Sequence, residues 1–145
     1  MKTQLLPLLL AVMLTATACQ KAEPAPLADR IKKVWTVQSA TENGTLVFLK
    51  GATSNVRNYG SYRLDLSKPP TVTLTEVDGN TFTGQYTLQN DNRLILSGLT
   101  PQPTGSGGRL EYVLGAVSDN SMDLSQASAN LKTGNTLNTY KLATP

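Results

Sequence analysis

Polar and apolar residues alternate along most of the chain beyond residue 33. The segment 71–75 reads Thr-Val-Thr-Leu-Thr, and the segment 81–88 repeats this order with Phe82, Tyr86 and Leu88 on its apolar positions. A period of two is typical of a β-strand that buries one face. Asp78-Gly79 lies between the two segments, and this dipeptide accepts the positive φ angles of a tight turn. The pattern therefore predicts an antiparallel hairpin.

The same alternation recurs along the chain, with turn-forming residues between the segments. The segment 27–33 has room for one or two helical turns, but nothing after it is long enough for a helical crossover. Consecutive strands must then pair as antiparallel neighbours. We predict an all-β fold, an antiparallel up-and-down meander of eight or nine strands that closes into a β-barrel, with a β-sandwich as the alternative. The predicted strands are 34–40, 45–50, 59–66, 71–77, 81–89, 93–99, 109–117, 121–128 and 135–142.

Alternation also predicts which side chains face the interior. A barrel of about eight strands is either filled by such side chains or has room for one small ligand, and both interpretations stay open here. The side chains predicted to face inward are Trp35, Val37, Phe48, Leu64, Leu66, Val72, Leu74, Phe82, Tyr86, Leu88, Leu94, Leu96, Leu110, Tyr112, Leu114, Met122 and Leu124.

The N-terminus has the organisation of a secretory signal. A short positive start at Lys2 precedes an apolar run over 5–14, and small residues lead up to Cys19. The run is far shorter than the ~20 residues that a membrane-spanning helix needs, so it predicts a cleaved signal peptide. The position of Cys19, at the cleavage point, resembles the lipobox of bacterial lipoproteins. That resemblance implies a diacylglyceryl group on the Cys19 sulfur, whereas cleavage after Ala18 by ordinary signal peptidase is the alternative.

These features divide the chain into a lipoprotein signal peptide at 1–18, a lipidated Cys and flexible tether at 19–27, and a barrel domain at 28–145. The lipoprotein resemblance also implies a location in the cell envelope. An Asp directly after the Cys commonly retains such proteins at the inner membrane, and here that residue is Gln20. We therefore expect an outer-membrane lipoprotein of a Gram-negative bacterium, facing the periplasm or the cell surface.

Composition removes several classes of function. The chain has 13 basic and 10 acidic side chains, a net charge of +3, and no histidine. A net charge this small does not indicate a nucleic-acid-binding surface. Without imidazole, the Ser-His-Asp and Cys-His mechanisms and His-ligated metals are excluded. We expect no cofactor, no metal site and no nucleic-acid partner.

Two further motifs have a structural explanation. Ser118-Asp119-Asn120 and Lys132-Thr133-Gly134 match two of the three signatures of serine β-lactamases, but the third, with its nucleophile, is missing. Both triplets are predicted to be turns. Glu76 shares the phase of the inward residues, and a buried carboxylate there would suggest a functional site. We instead expect Glu76 to be exposed at its strand end, so the chain has no predicted catalytic residue and is not expected to be an enzyme.

The pattern resembles the lipocalin-like barrels of small bacterial lipoproteins, through the segments 31–35, 77–84, 96–101 and 132–135. The resemblance implies a closed sheet around an apolar interior. Together with the one-sided alternation it suggests a membrane-anchored, non-enzymatic protein that binds a small apolar or amphipathic ligand at the barrel mouth. The loops 51–58 and 100–108 would form the rim. The alternative is a solid-cored interaction module or inhibitor that binds another cell-envelope protein. The candidate ligand-binding residues are Trp35, Phe82, Tyr86 and Tyr112.

Overall fold

The computed structural model describes residues 23–145, so the predicted signal peptide, Cys19 and the first residues of the predicted tether lie outside the described part. Within it, one short helix precedes nine β-strands, and no helix of this part has the length and apolar character needed to cross a membrane. The elements are α1 (Leu27–Arg30), β1 (Val34–Glu42), β2 (Thr45–Leu49), β3 (Arg63–Lys68), β4 (Thr71–Thr75), β5 (Thr81–Gln89), β6 (Arg93–Thr100), β7 (Leu110–Val117), β8 (Ser121–Gln126) and β9 (Asn138–Ala143).

The sheet closes on itself through the long strand β1. One edge of β1 pairs with β9, from Thr36↔Ala143 to Glu42↔Asn138. Its other edge pairs with β3 in its first half and with β2 in its second half. All pairings are antiparallel, and strands β3 to β9 follow one another in chain order. Eight strands therefore form a closed up-and-down barrel, with β2 as an additional strand. This confirms the predicted barrel, and the sandwich alternative is wrong.

The predicted hairpin between β4 and β5 is also present. Gly79 has a φ of 81°, a conformation that only glycine adopts without strain. The Asp78 side chain accepts a hydrogen bond from the Asn80 backbone N–H at 3.1 Å, which fixes the turn. Thr75 then lies opposite Thr81 at the start of the β4–β5 ladder.

The core follows the predicted alternation closely. Of the side chains predicted to face inward, all are buried except Leu88 and Leu110, which are half-buried. The main difference is in β3, which begins at Arg63 rather than residue 59. The Tyr62 N–H donates to the Tyr59 carbonyl at 3.0 Å, and this turn carries both aromatic rings into the barrel.

Candidate functional site

The two ends of the barrel are closed by different side chains. The end near the start of β1, called the closed end here, is covered by α1 and Ile31, which is 1% exposed. The indole N–H of Trp35 donates to the Ile31 carbonyl at 2.9 Å and ties this cover to β1. The Arg30 side chain also bonds to the Val117 carbonyl across the barrel. Apolar packing and two hydrogen bonds from side chains to backbone carbonyls therefore close this end.

The opposite end, called the capped mouth here, is covered by the connection between β8 and β9. This segment, 127–137, contains a single 3-10 turn at Leu131–Thr133. The Asn130 side chain accepts from the Lys132 N–H at 2.8 Å, and Gly134 ends the turn in the left-handed conformation, at φ 83°. The motif Lys132-Thr133-Gly134 thus forms a turn, as predicted. Thr133 is 3% exposed and faces the barrel, whereas Leu131 on the outer side of the turn is exposed.

The central feature of the capped mouth is an ion pair with a buried carboxylate. Lys132 Nζ lies 2.6 Å from Glu76 Oε2 and 2.9 Å from Asp78 Oδ2. The same ammonium stands 4.7 Å from the centre of the Phe82 ring. Glu76 is 4% exposed, so the prediction that it would be exposed is wrong. Glu76 continues the inward-facing alternation of Val72 and Leu74. The positive charge of Lys132 offsets the free-energy cost of burying the Glu76 carboxylate.

The pKa values of Lys132 and Asp78 follow from this geometry. Burial acts to lower the pKa of Lys132, but the hydrogen bonds and charges of Glu76 and Asp78 outweigh it, and the pKa is raised. Burial acts to raise the pKa of Asp78, while the bond and charge of Lys132 and the Asn80 N–H lower it overall. Both shifts favour the charged forms, so the contact between Lys132 and Asp78 is an ion pair at neutral pH.

A second polar network lies beside the first. Asn138 is fully buried, and its amide donates to the Thr133 hydroxyl at 3.0 Å and reaches the Tyr59 hydroxyl at 3.4 Å. Tyr59 in turn donates to Glu42 Oε1 at 2.8 Å, and Arg57 Nε bonds the same oxygen at 2.6 Å. Burial, followed by the bond to Glu42, raises the pKa of Tyr59. This chain of bonds connects the turn over the mouth to β1, β9 and the loop before β3.

Buried tyrosines form the layer beneath the mouth. The rings of Tyr62 and Tyr140 stack with centroids 4.8 Å apart. The hydroxyls of Tyr62 and Tyr112 lie close to one another, and Gln126, the cross-strand neighbour of Tyr112, lies beside them. Burial raises the pKa of both tyrosines, so both are neutral hydroxyls. The layer is therefore a cluster of buried, uncharged polar groups.

A cleft of about 140 Å³ opens at this mouth, and Glu76, Gln126 and Lys132 are among its walls. A wider and shallower cavity of about 350 Å³ lies outside it, around Arg93, Arg109 and the connection after β8. Both cavities are lined mainly by polar groups. Two carboxylates and two cations line the cleft and pair with one another, so its formal charges balance.

The predicted ligand-binding residues lie at two different levels. Trp35 belongs to the closed end, and Tyr86 lies near it because its hydroxyl donates to the Leu66 carbonyl at 3.0 Å. Phe82 and Tyr112 lie toward the capped mouth, against Lys132 and Tyr62 respectively. All four are buried, and among them Phe82 borders a cavity, of about 240 Å³, on the outer side of Lys132. Their role in ligand binding stays a prediction.

Sequence reasoning missed the residues that shape this mouth. Glu76 carried a signal, because it shares the apolar phase of β4. Nothing local marks Lys132 or Asn138, whose partners come from distant elements. Among residues 23–145, no group of three or more His, Cys, Asp or Glu side chains is placed to hold a metal ion.

The closed eight-stranded meander is an up-and-down β-barrel, an architecture that lipocalins share with other proteins such as streptavidin. No known family model and no curated protein matches the sequence. A solved structure of similar fold is a lipocalin-like protein from Bacteroides uniformis, at a TM-score of 0.48 and 13% sequence identity. The similarity covers 80% of this chain and 99% of that one.

Proposed function

We propose that this protein is a non-enzymatic, membrane-anchored lipoprotein whose barrel binds another protein of the cell envelope through its outer surface. The filled interior carries this proposal. Trp35, Leu64 and Tyr112 are each 0% exposed and pack in one continuous cluster with the other inward side chains. An eight-stranded barrel is just wide enough for such side chains to fill. A barrel filled in this way acts through its surface.

The exposed apolar side chains indicate which surface is used. Except for Leu131, which lies beside Gly105, they lie in or near the additional strand β2, because the Leu137 N–H bonds to the Asn43 side chain and brings the start of β9 beside the turn between β1 and β2. Val56 in the following loop is 83% exposed. Single exposed leucines are normal on a protein surface and do not indicate an interface. Apolar side chains that lie together are different, because protein interfaces have apolar centres with polar rims. The exposed large apolar side chains of the described residues are Leu46, Leu49, Val56, Leu131 and Leu137.

Site-specific photo-crosslinking in living cells tests this contact. A photoreactive residue at Val56 is expected to yield one discrete adduct with an envelope protein. The same residue at Thr87, an exposed position on β5 away from β2, is the matched control and is expected to yield none. Equal adducts at both positions, or none at Val56, would contradict the proposal.

A small apolar or amphipathic ligand is the second candidate. The observation in its favour is the inward orientation of Trp35, Phe82, Tyr86 and Tyr112, which a rearranged interior would present to such a ligand. Native mass spectrometry of gently purified protein, beside a denatured control, decides between the candidates. A reproducible extra mass that is lost on denaturation supports the carrier. A bare mass, with no uptake of added fatty acid, supports the protein-binding module.

Membrane anchoring rests on the sequence around Cys19, which resembles a lipobox. Three acyl chains would hold the protein stably at the outer membrane. Cys19→Ala is expected to move the protein from the membrane to the soluble fraction and to remove the lipid mass from its N-terminal peptide. Retention of Cys19→Ala in the membrane fraction would contradict lipidation at this position.

A further inference from the structure

A groove with apolar walls lies between β2 and the loop that follows it. Its volume is about 160 Å³, and a cavity of roughly 150 Å³ is enough to hold a benzene molecule. The groove therefore has room for one aliphatic side chain from another molecule. We call it the β2 groove, and its exposed apolar walls are Leu46, Leu49, Ala52 and Val56.

Hydrogen bonds fix the loop against β2, so the groove is formed before a partner binds. The Asn55 side chain accepts from the Leu49 N–H at 2.8 Å and donates to the Leu49 carbonyl at 3.3 Å. The Arg57 N–H donates to the Val47 carbonyl at 3.2 Å. These contacts occupy outward backbone groups of β2, which a partner strand would need for pairing. Recognition at this surface therefore depends on side chains and not on the addition of a strand.

The charge beside the β2 groove is positive. Arg57 Nε lies 2.6 Å from Glu42 Oε1, so these two charges compensate one another. Lys50 directly follows Leu49, is exposed, and belongs to no ion pair among residues 23–145. Its flexible stem lets the ammonium reach a group that is bound at the groove. The group that complements this charge is a carboxylate.

We infer that the β2 groove receives an aliphatic side chain of the partner protein, while a carboxylate beside that side chain pairs with Lys50. This inference rests on the protein-binding function proposed above and specifies the chemistry of the partner segment. A second copy of this chain fits less well, because a symmetric contact would bring two Lys50 ammonium groups into one interface. A lipid surface has no projecting side chain to fill a groove. The β2 groove also lies along the second half of β1, away from α1 and the predicted lipid tether.

Charge reversal in the protein that carries the photoreactive residue at Val56 tests the carboxylate. Lys50→Glu is expected to lower the yield of the Val56 adduct about fivefold, since an attraction becomes a repulsion. Lys68→Glu is the matched control and should leave the yield unchanged, because Lys68 is also exposed but ends β3 near the start of β1. The Tm of both variants should stay within about 3 °C of the parent value. An unchanged or larger yield with Lys50→Glu would overturn the inference.

Filling the groove tests the aliphatic contact. Ala52 lines the β2 groove, so Ala52→Trp places a large ring where the partner side chain would lie. The yield of the Val56 adduct is expected to fall about tenfold, while the Tm changes little. Ala52→Ser keeps the groove open and should retain the adduct. Equal yields with Ala52→Trp and Ala52→Ser would contradict the contact.

Mass spectrometry of the crosslinked peptide identifies the partner segment. We expect an aliphatic residue with a neighbouring Asp or Glu, and changing that acidic residue to Lys should restore the adduct with Lys50→Glu. An adduct with a lipid or with a second copy of this chain would overturn the inference, as would a failure of the charge exchange to restore the adduct. A parent adduct that neither Lys50→Glu nor Ala52→Trp weakens refutes this inference alone. No adduct in the parent protein refutes the proposed protein-binding function as well.

Discussion

The barrel has two ends, and their chemistry differs. At the closed end, Ile31 and Trp35 seal the interior by apolar burial, and the Trp35 and Arg30 side chains each donate a hydrogen bond to a backbone carbonyl. At the capped mouth, the turn at Leu131–Thr133 is held by an ion pair with Glu76 and by the hydrogen bonds of Asn138. Apolar burial is stable over a wide range of pH and salt, whereas ion pairs and hydrogen bonds can exchange partners with solutes. The stability of the capped mouth should therefore respond more to pH and salt than that of the closed end.

The largest expected effect comes from removing the apolar seal. Trp35→Ala deletes a fully buried indole and its bond to the Ile31 carbonyl, and it should cost about 3–5 kcal/mol of unfolding free energy. Urea denaturation measures this loss. Trp35→Phe retains an aromatic ring and should lose clearly less. A loss below that of the mouth variants described next would mean that the closed end is not the stronger seal.

The ion pair at the mouth should follow in size. Lys132→Ala leaves Glu76 buried without its cation, and we expect a loss of about 3 kcal/mol in the same urea assay. Lys141→Ala is the control, because its pair with Asp123 is largely exposed and should contribute at most about 0.5 kcal/mol. If both variants lose equally little, the mouth is not held by this ion pair.

The hydrogen-bond network at the mouth should matter somewhat less. Asn138→Ala removes the buried amide that joins Thr133 to Tyr59, and we expect a loss of about 2 kcal/mol. Thr139→Ala, at an exposed neighbouring position in β9, provides the comparison and should change little. If Asn138→Ala leaves the unfolding free energy unchanged, the turn is held in place without the hydrogen bonds of Asn138.

The smallest effect is a pH dependence at the mouth, which the Asp78→Asn variant isolates from the other titrating groups. Because the pKa of Asp78 is lowered in the folded state, its contribution is present above the ordinary value near 3.8 and is lost as the pH falls through the lowered value. The difference in stability between wild type and Asp78→Asn should therefore shrink below about pH 3.8. The raised pKa of Lys132 predicts a matching loss as the pH rises above 10.5. A pH-independent difference would place Asp78 outside the ion pair.

Much of this fold could be predicted because strand alternation is a local property. Each strand segment was found, and the inward phase of β4, with Val72 and Leu74, was correct. The same phase pointed Glu76 inward, but its place at the strand end, beside the Asp78 turn, argued for an exposed position. Only a partner could reverse that argument, and the partner, Lys132, lies in a turn far along the chain.

Local residue patterns were sufficient to predict the strands, their inward faces, the turns and the antiparallel order, since each depends on neighbouring residues. Other features arise only where distant segments meet. Closure required the register of β1 against β9, and the filling of the interior required Tyr59 and Tyr62 to fold in from a loop. The ion pair of Glu76 with Lys132 exists only because closure brings the β8–β9 connection over the β4–β5 hairpin. Contacts between distant segments depend on the geometry of the whole barrel, which no local pattern encodes.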